Sequence, residues 1–369
     1  MTPQRVLVVN AGSSSLKLRL LDGQDRLLAD HDLDTPGGRF EEDELAGILR
    51  RLDGVEAVGH RIVHGGDRLS GPVRLTAEVR TYLESLTDLA PLHQQPALTG
   101  IDVTARVLPD LPAVGCFDTA FHAAMPPAAA IYAIPREWRE QYPVRRYGFH
   151  GLSHAWASAR AVQLSRAERS DFRVVSCHLG AGASLAAVRG GRSVDTTMGF
   201  TPLEGLVMAT RSGSVDPGLL LWLQDHVGLS GRDLNDALER RSGLRALAGT
   251  PDMREVLAGI SRGEVDARLA LDIYVHRLRG SIASMAAAMD GLDALVFTGG
   301  VGERAPEVRA AAAAGLGFLG VAIDPARNQQ ASADADIGSD GAPVRALVVE
   351  AREDLQIARE VRGLLGGDQ

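Results

Sequence analysis

The sequence predicts an α/β fold made of two similar domains, and three observations carry that prediction. Strand-like and helix-like stretches interleave along the chain. A strand, a turn of small residues and a second strand open the chain, and the same unit returns near residue 173, as a duplication would leave it. The 369 residues suffice for two domains of ordinary size.

The first unit begins with a β-branched run over 5–10, a buried strand. It meets the turn Ala11-Gly12-Ser13-Ser14-Ser15, after which Leu16, Leu18 and Leu20 alternate with Lys17 and Arg19, a strand with one wet face. The second unit has a strand over 173–179, the turn Gly180-Ala181-Gly182-Ala183-Ser184, a strand over 185–188, a Gly190-Gly191 turn and a further strand from 193 to 197. Helical patterns occupy 41–52, 76–86, 153–164, 218–226, 232–240 and 267–289. A strand over 295–298 ends in Gly299-Gly300-Val301-Gly302, a helix restarts over 307–314 after Pro306, a late strand covers 344–349, and a helix over 354–365 closes the chain. The Pro126-Pro127 break divides an N-terminal domain, 1–125, from a C-terminal domain, 126–353, with residues 354–369 expected to pack back on the first. Two such domains facing each other would put both turns on one cleft.

Composition narrows the function. Hydrophobic residues make up 45% and charged residues 23%, enough apolar side chain for real cores. A net charge of −8 argues against a general nucleic-acid binder. No run approaches the roughly 20 apolar residues of a spanning helix, and the N-terminus lacks a signal-peptide pattern. Two cysteines, Cys116 and Cys177, suit a reducing cytoplasm and sit in apolar runs as buried thiols. Of 39 basic residues, all but Lys17 are arginine. A compact ammonium retained there suits a phosphate cradled in a tight turn.

The chemistry gathers at strand ends. Both hairpin turns offer backbone N–H groups and hydroxyls, the makings of an anion nest. Neither is a Walker A loop, and Gly299-Gly300-Val301-Gly302 does not complete G-x-G-x-x-G. Seven of ten histidines lie between His60 and His178, beside glycines. Zinc at His60/His64 or His150/His154 is disfavoured, because the neighbouring glycines argue against long helices and no H-E-x-x-H occurs. A serine hydrolase lacks its G-x-S-x-G. Arginines near phosphate nests suit phosphoryl transfer, where charge spreads over three equatorial oxygens and the protein must neutralise it. A carboxylic acid acceptor already carries its nucleophile and needs no general base.

Val8-Val9-Asn10-Ala11-Gly12-Ser13-Ser14-Ser15-Leu16-Lys17 resembles the first motif of the acetate kinase family, and His178-Leu179-Gly180 onward through Asp195-Thr196-Thr197-Met198-Gly199-Phe200-Thr201-Pro202-Leu203-Glu204-Gly205 resembles its second. Segments 59–66, 89–93, 117–122, 147–154, 210–217 and 297–303 match further motifs, in order, over nearly the whole chain. The resemblance implies two duplicated actin/ribonuclease H-like domains with the active site in a cleft between them. It implies a reversible, direct in-line transfer from Mg-ATP to acetate. Propionate or butyrate kinase is the near alternative; a non-enzymatic ATP-binding switch of the actin or Hsp70 type and a hydrolase on the same fold are more distant ones.

The roles it implies are these. Arg61 and Arg211 clamp the moving phosphoryl, His150 donates to it, and Asp118 positions metal and active-site groups. Asn10 and Glu353 serve Mg²⁺, for which Mn²⁺ is a substitute. Ser13, Ser15, Lys17, His178, Gly180 and Gly182 lie at the phosphates. Asp252, Met253, Arg254, Gly300, Glu303 and Arg309 line the nucleotide site, and Val63, Leu92, Phe149 and Pro202 surround the acid's methyl group. A cytoplasmic homodimer joined through the second domain is implied, with acetate or a similar short-chain carboxylate and ATP/ADP as its ligands and neither nucleic acid nor membrane as partner. Ala181, Arg304 and Ala351-Arg352 depart from the family pattern, and the stretch 22–59 is short for it.

Overall fold

The computed structural model describes residues 2–12, 15–35, 40–87, 91–168 and 170–367, with the side chains of 91–93 outside the description. It comprises two compact units. The first holds residues 1–123, 149–156 and 352–369, and the second holds 124–148 and 157–351.

The first unit is a six-stranded sheet of β1 (Val6–Ala11), β2 (Ser15–Leu21), β3 (Leu27–Asp34), β4 (Ala57–Ile62), β5 (Val73–Arg74) and β6 (Ala113–Phe117). Its spatial order is β3-β2-β1-β4-β6-β5. β1 runs antiparallel to β2 and parallel to β4, β4 runs parallel to β6, and β5 closes the edge antiparallel. Helices α1 (Glu42–Leu49), α2 (Ala77–Ser85) and α3 (Pro91–Val107) belong to this unit. Leu7, Val9, Leu16 and Leu18 bury against Leu45 and Leu49 of α1 in one core. The closing helix, Glu353–Gly366, lies against β1 and β4.

The second unit repeats the plan. After α4 (Pro127–Ala130), α5 (Arg136–Gln141) and α6 (Gly151–Ser165, which begins in the first unit), the strands are β7 (Arg173–Leu179), β8 (Ala183–Arg189), β9 (Arg192–Thr196), β10 (Ala294–Thr298), β11 (Ala335–Asp336) and β12 (Arg345–Val348). Their order is β9-β8-β7-β10-β12-β11, position for position that of the first sheet. The strand directions match as well, down to the antiparallel edge strand. The expected duplication is therefore a property of both sheets, and the fold is the duplicated actin/ribonuclease H-like one. Helices α7 (Pro217–Trp222), α8 (Gly231–Arg240), α9 (Gly243–Ala248), α10 (Met253–Ser261), the 23-residue α11 (Val265–Ala287), α12 (Gly299–Arg304), α13 (Pro306–Ala313) and α14 (Pro325–Gln330) complete it; the closing helix is α15. A π-helical turn, Leu223–Val227, follows α7.

One expectation needs correction. The glycines around His150 do not exclude a helix: Gly151 is the first residue of the 15-residue α6, and a glycine at a helix start costs little compared with one inside. His60 and Arg61 lie within β4. Both cysteines are buried and unpaired. No helix among the described residues is long and apolar enough to cross a membrane.

Candidate active site

In a parallel sheet, side chains at the carboxyl ends of the strands face the region where ligands bind. In the first unit those ends carry Asn10 on β1, Arg61 on β4 and Asp118 just beyond β6. Asn10 is directly paired with Arg61 across the β1/β4 ladder and with Lys17 across the β1/β2 ladder, so the three share one face.

Arg61 is bound at both edges. Its Nε donates to Asp118 Oδ1 (3.1 Å) and its Nη2 to Oδ2 (2.7 Å), a bidentate pair. Nη1 donates to Asn10 Oδ1 (3.1 Å) and lies 3.7 Å from Glu353 at the start of α15. Asn10 Nδ2 in turn donates to Glu353 (2.9 Å). A guanidinium has five N–H donors, so the fork is immobilised with donors left over for an anion. Burial works against the Arg61 charge, but Asp118 and Glu353 outweigh it and push its pKa up. Burial raises the Asp118 carboxyl, with Glu353 adding to the rise and Arg61 opposing it.

Asp118 also fixes the next candidate. His150 has a left-handed backbone, φ 56°, which non-glycine residues adopt at a cost of about 1–3 kcal/mol. Its backbone N–H is bonded by the Asp118 carboxylate, and the Gly151 N–H donates to the Asp118 carbonyl (2.9 Å). A Cβ at Gly151 would run into that carbonyl oxygen, so only glycine permits the approach. One aspartate thus holds Arg61 by its side chain and the His150 turn by its main chain as well. His154, one helical turn on, is buried, and its ring lies edge-on to the buried His122. Burial lowers the imidazoles of His60, His64 and His122 to about 4, so all three are neutral near pH 7. Val63 and Phe149 are buried in this unit, with His64 edge-on to Phe149. Ser15 is half-buried at the start of β2 and Lys17 is exposed. Ser13 and the Leu92 side chain lie outside the described residues.

In the second unit the equivalent of the Asn10–Arg61 pairing is His178–Thr298, at the ends of β7 and β10. Each hairpin turn is closed by a main-chain hydrogen bond of 2.9 Å, Gly12 N to Ser15 O in the first and, in a turn one residue shorter, Gly180 N to Gly182 O in the second. Gly299 has φ +77° with its Cβ position against the Leu179 carbonyl, so the turn after β10 also requires glycine. Gly300 is exposed, with open space where a side chain would stand. Glu303 Oε1 accepts from the N–H groups of Gly299 and Ala351 (both 3.0 Å), joining the turn to the end of the sheet. Arg309 is fully buried and donates to the carbonyls of Gly302, Glu303 and Asn328. Glu303 and Arg309 therefore frame the glycine turn. Asp252 caps α10 and grips Arg254, Met253 is buried, and the Arg254 side chain is largely exposed.

Arg211 lies in the loop before α7. Its Nε is 3.1 Å from Glu239 of α8, and its Nη1 donates to the Pro202 carbonyl (3.2 Å). Burial lowers its pKa, with Glu239 opposing. The Pro202 loop is braced by Glu204, which accepts from Tyr132 (2.7 Å) and Arg146 (2.8 Å), while Arg146 also donates to the Thr197 and Met198 carbonyls. Sequence reasoning missed Glu239, Tyr132 and Arg146. Nothing in their local pattern separates them from ordinary surface residues, since their partners are distant in sequence.

The two sheets share one strand order, and an arginine anchored by an aspartate stands at a strand end of the first. The Acetokinase family model matches residues 40–359. An acetate kinase of Trichormus variabilis is 42% identical, covering 98% of this chain and 99% of its own. The crystal structure of the Porphyromonas gingivalis acetate kinase superposes with a TM-score of 0.90 at 35% identity, over 98% of this chain and 100% of that one. A propionate kinase from Francisella tularensis gives 0.90 and 35% over 97% and 98%. The chain belongs to the acetokinase family.

Proposed function

We propose that this enzyme transfers the γ-phosphoryl group of ATP to the carboxylate of acetate, giving acetyl phosphate and ADP, in a reversible in-line displacement. One carboxylate oxygen attacks phosphorus while the bond to the bridging oxygen of ADP breaks, so no proton has to be removed from the nucleophile. The observation that carries this reading is the Arg61 fork, locked on Asp118 with donors to spare. A fixed cation needs no reorganisation as charge moves onto the phosphoryl oxygens. Arg211 would supply the second positive charge and His150 a hydrogen bond. Val63 and Phe149, with Leu92 and Pro202, would hold the methyl group.

Mg²⁺, or Mn²⁺ in its place, fits the residues present. Asn10 and Glu353 stand together at a strand end, with Asn10 Nδ2 donating to the Glu353 carboxylate and Asn10 Oδ1 accepting from Arg61. Among the described residues no group of three or more His, Cys, Asp or Glu forms a metal cage. Mg²⁺ ordinarily takes one or two carboxylates and completes its shell with water and substrate phosphates. When bound it would neutralise the β- and γ-phosphate oxygens. Ser13, Ser15, Lys17, His178, Gly180 and Gly182 would receive the phosphates, and Asp252, Met253, Arg254 and Gly300 the nucleoside, with Glu303 and Arg309 holding the turn beneath it. We place the enzyme in the cytoplasm as a homodimer joined through the second unit.

The likeness to a propionate kinase equals that to an acetate kinase, so a longer acid is the second reading. One added CH₂ is worth about 1–3 kcal/mol of discrimination. The test is acyl phosphate formation, trapped with hydroxylamine, from Mg-ATP and acids of two to five carbons. Acetate is expected to give the highest kcat/KM, and Arg211→Ala to lower kcat by about two to three orders of magnitude. Near-normal turnover of that variant, or no acyl phosphate from any acid, overturns the assignment.

A further inference from the structure

We infer that Glu239 is the positioning residue of Arg211, a role that rests on the proposed function of Arg211 as a phosphoryl-gripping arginine. The two residues flank an excursion of the chain within the second unit: α7, the π-helical turn and most of α8 lie between Arg211 and Glu239. The base of the excursion is tied by main-chain groups and one threonine hydroxyl. Ser212 N donates to Leu238 O (3.1 Å), Thr210 Oγ1 to Glu239 O (2.8 Å) and Ser242 N to Thr210 O (3.0 Å). The Glu239 carboxylate therefore stands at a place set by the backbone, 3.1 Å from Arg211 Nε, with both side chains less than a fifth exposed.

The attachment leaves the reactive end of the fork available. Glu239 takes the Nε edge, and Nη1 reaches the Pro202 carbonyl and lies 3.8 Å from Met208 Sδ. Among the described residues nothing bonds Nη2. A carboxylate on the far edge of a guanidinium turns its tips outward without occupying them. Glu239 also supplies the charge that opposes the effect of burial on Arg211. Arg61 has the same device in stronger form, a bidentate aspartate with Asn10 beside it. Without Glu239, the Arg211 fork would have to be ordered by the phosphoryl group during the reaction, and that cost falls on the transition state.

The experiment compares Glu239→Ala, Glu239→Gln, Glu239→Asp and Arg211→Ala with the double variant, each by steady-state kinetics in both substrates and by thermal melting. Glu239→Ala is expected to lower kcat by about 10- to 100-fold while both KM values stay within about threefold. Glu239→Asp should restore most of the loss. Adding Glu239→Ala to Arg211→Ala should cost nothing further, because the two act as one unit. Glu239→Gln keeps the shape, so it carries the test if the alanine variant fails to fold. Normal kcat in a folded Glu239→Gln and Glu239→Ala beside an impaired Arg211→Ala overturns the inference and leaves the role of Arg211 standing. A full additional loss in the double variant also overturns it. An active Arg211→Ala sinks the underlying reading itself.

Discussion

Arg61 and Arg211 carry the same charge in opposite surroundings. Two carboxylates reinforce the first, while burial weakens the second against a single glutamate. Both arginines stand out in the sequence, Arg61 among glycines and histidines and Arg211 among hydroxyls and a glycine, but their anchors are less visible: Asp118 lies 57 positions from Arg61, and Glu239 belongs to an ordinary amphipathic helix. Side chains that meet only after folding leave no local mark. Lys17 is visible for another reason, as the sole lysine. It lies on β2, an interior strand rather than an edge, exposed and directly opposite Asn10 and Asp32. Lys17→Arg keeps the charge but replaces a compact ammonium with a broad fork. It is expected to lower kcat/KM for ATP about tenfold with no change in melting temperature, since the position is exposed. Unchanged kinetics would make the lone lysine incidental.

Elements with a strong apolar period were legible to within a few residues, and those without one were not. The hairpins of both sheets were read because Val, Leu and Ala alternate or run together there. β3 was missed: its Leu27–Asp34 sequence alternates charge on a mostly exposed edge strand, so it has no buried face to read. α3 was missed because Pro91 and Pro96 argue against a helix, although it runs to Val107. β4 was not read as a strand, because His60 and Arg61 interrupt its apolar run. Those interruptions have an energetic consequence. His60 on β4, His64 just beyond it and His122 after β6 are buried neutral, each with its imidazole lowered to about 4. An unfolded chain protonates them near the usual value of about 6.5. Their contribution to stability is complete above that pH and is lost as pH falls toward 4, at up to about 4 kcal/mol per pH unit for the three together. The melting temperature should be level from pH 7 to 8 and fall steeply between 6 and 4.5, with hydrogen exchange rising first in the first unit, which holds all three. A melting temperature independent of pH down to 5 would contradict their neutral burial.

At the scale of the whole molecule, the matching sheet orders explain why one chain carries two sets of strand-end groups: a single plan was used twice, then specialised to Asn10 and Arg61 in one copy and to His178 and Thr298 in the other. What the second unit adds is the excursion after Arg211. Its outer surface is apolar and uncovered: Val215, Leu219, Leu221, Trp222 and Val227 are each more than a third exposed, on a chain with a net charge of −8. Between residues 215 and 224 only Asp216 is charged, and it is spent capping α7. The stretch 217–224 has no charge to repel its own copy, and Asp225 stands at its margin, so a two-fold contact between identical excursions would cover both surfaces at once. The homodimer proposed above would meet through this face. Trp222→Glu should halve the mass measured by light scattering while leaving the circular dichroism spectrum intact, because Trp222 is half exposed and outside the buried core. Since Arg211 and Glu239 stand at the base of the same excursion, the monomer should also lose turnover, by about 3- to 30-fold, through the Arg211 fork rather than through substrate affinity. A native chain that is already monomeric, or a Trp222→Glu variant of unchanged mass, would remove the second copy from this face. A monomer of full activity would keep the contact but sever it from the arginine.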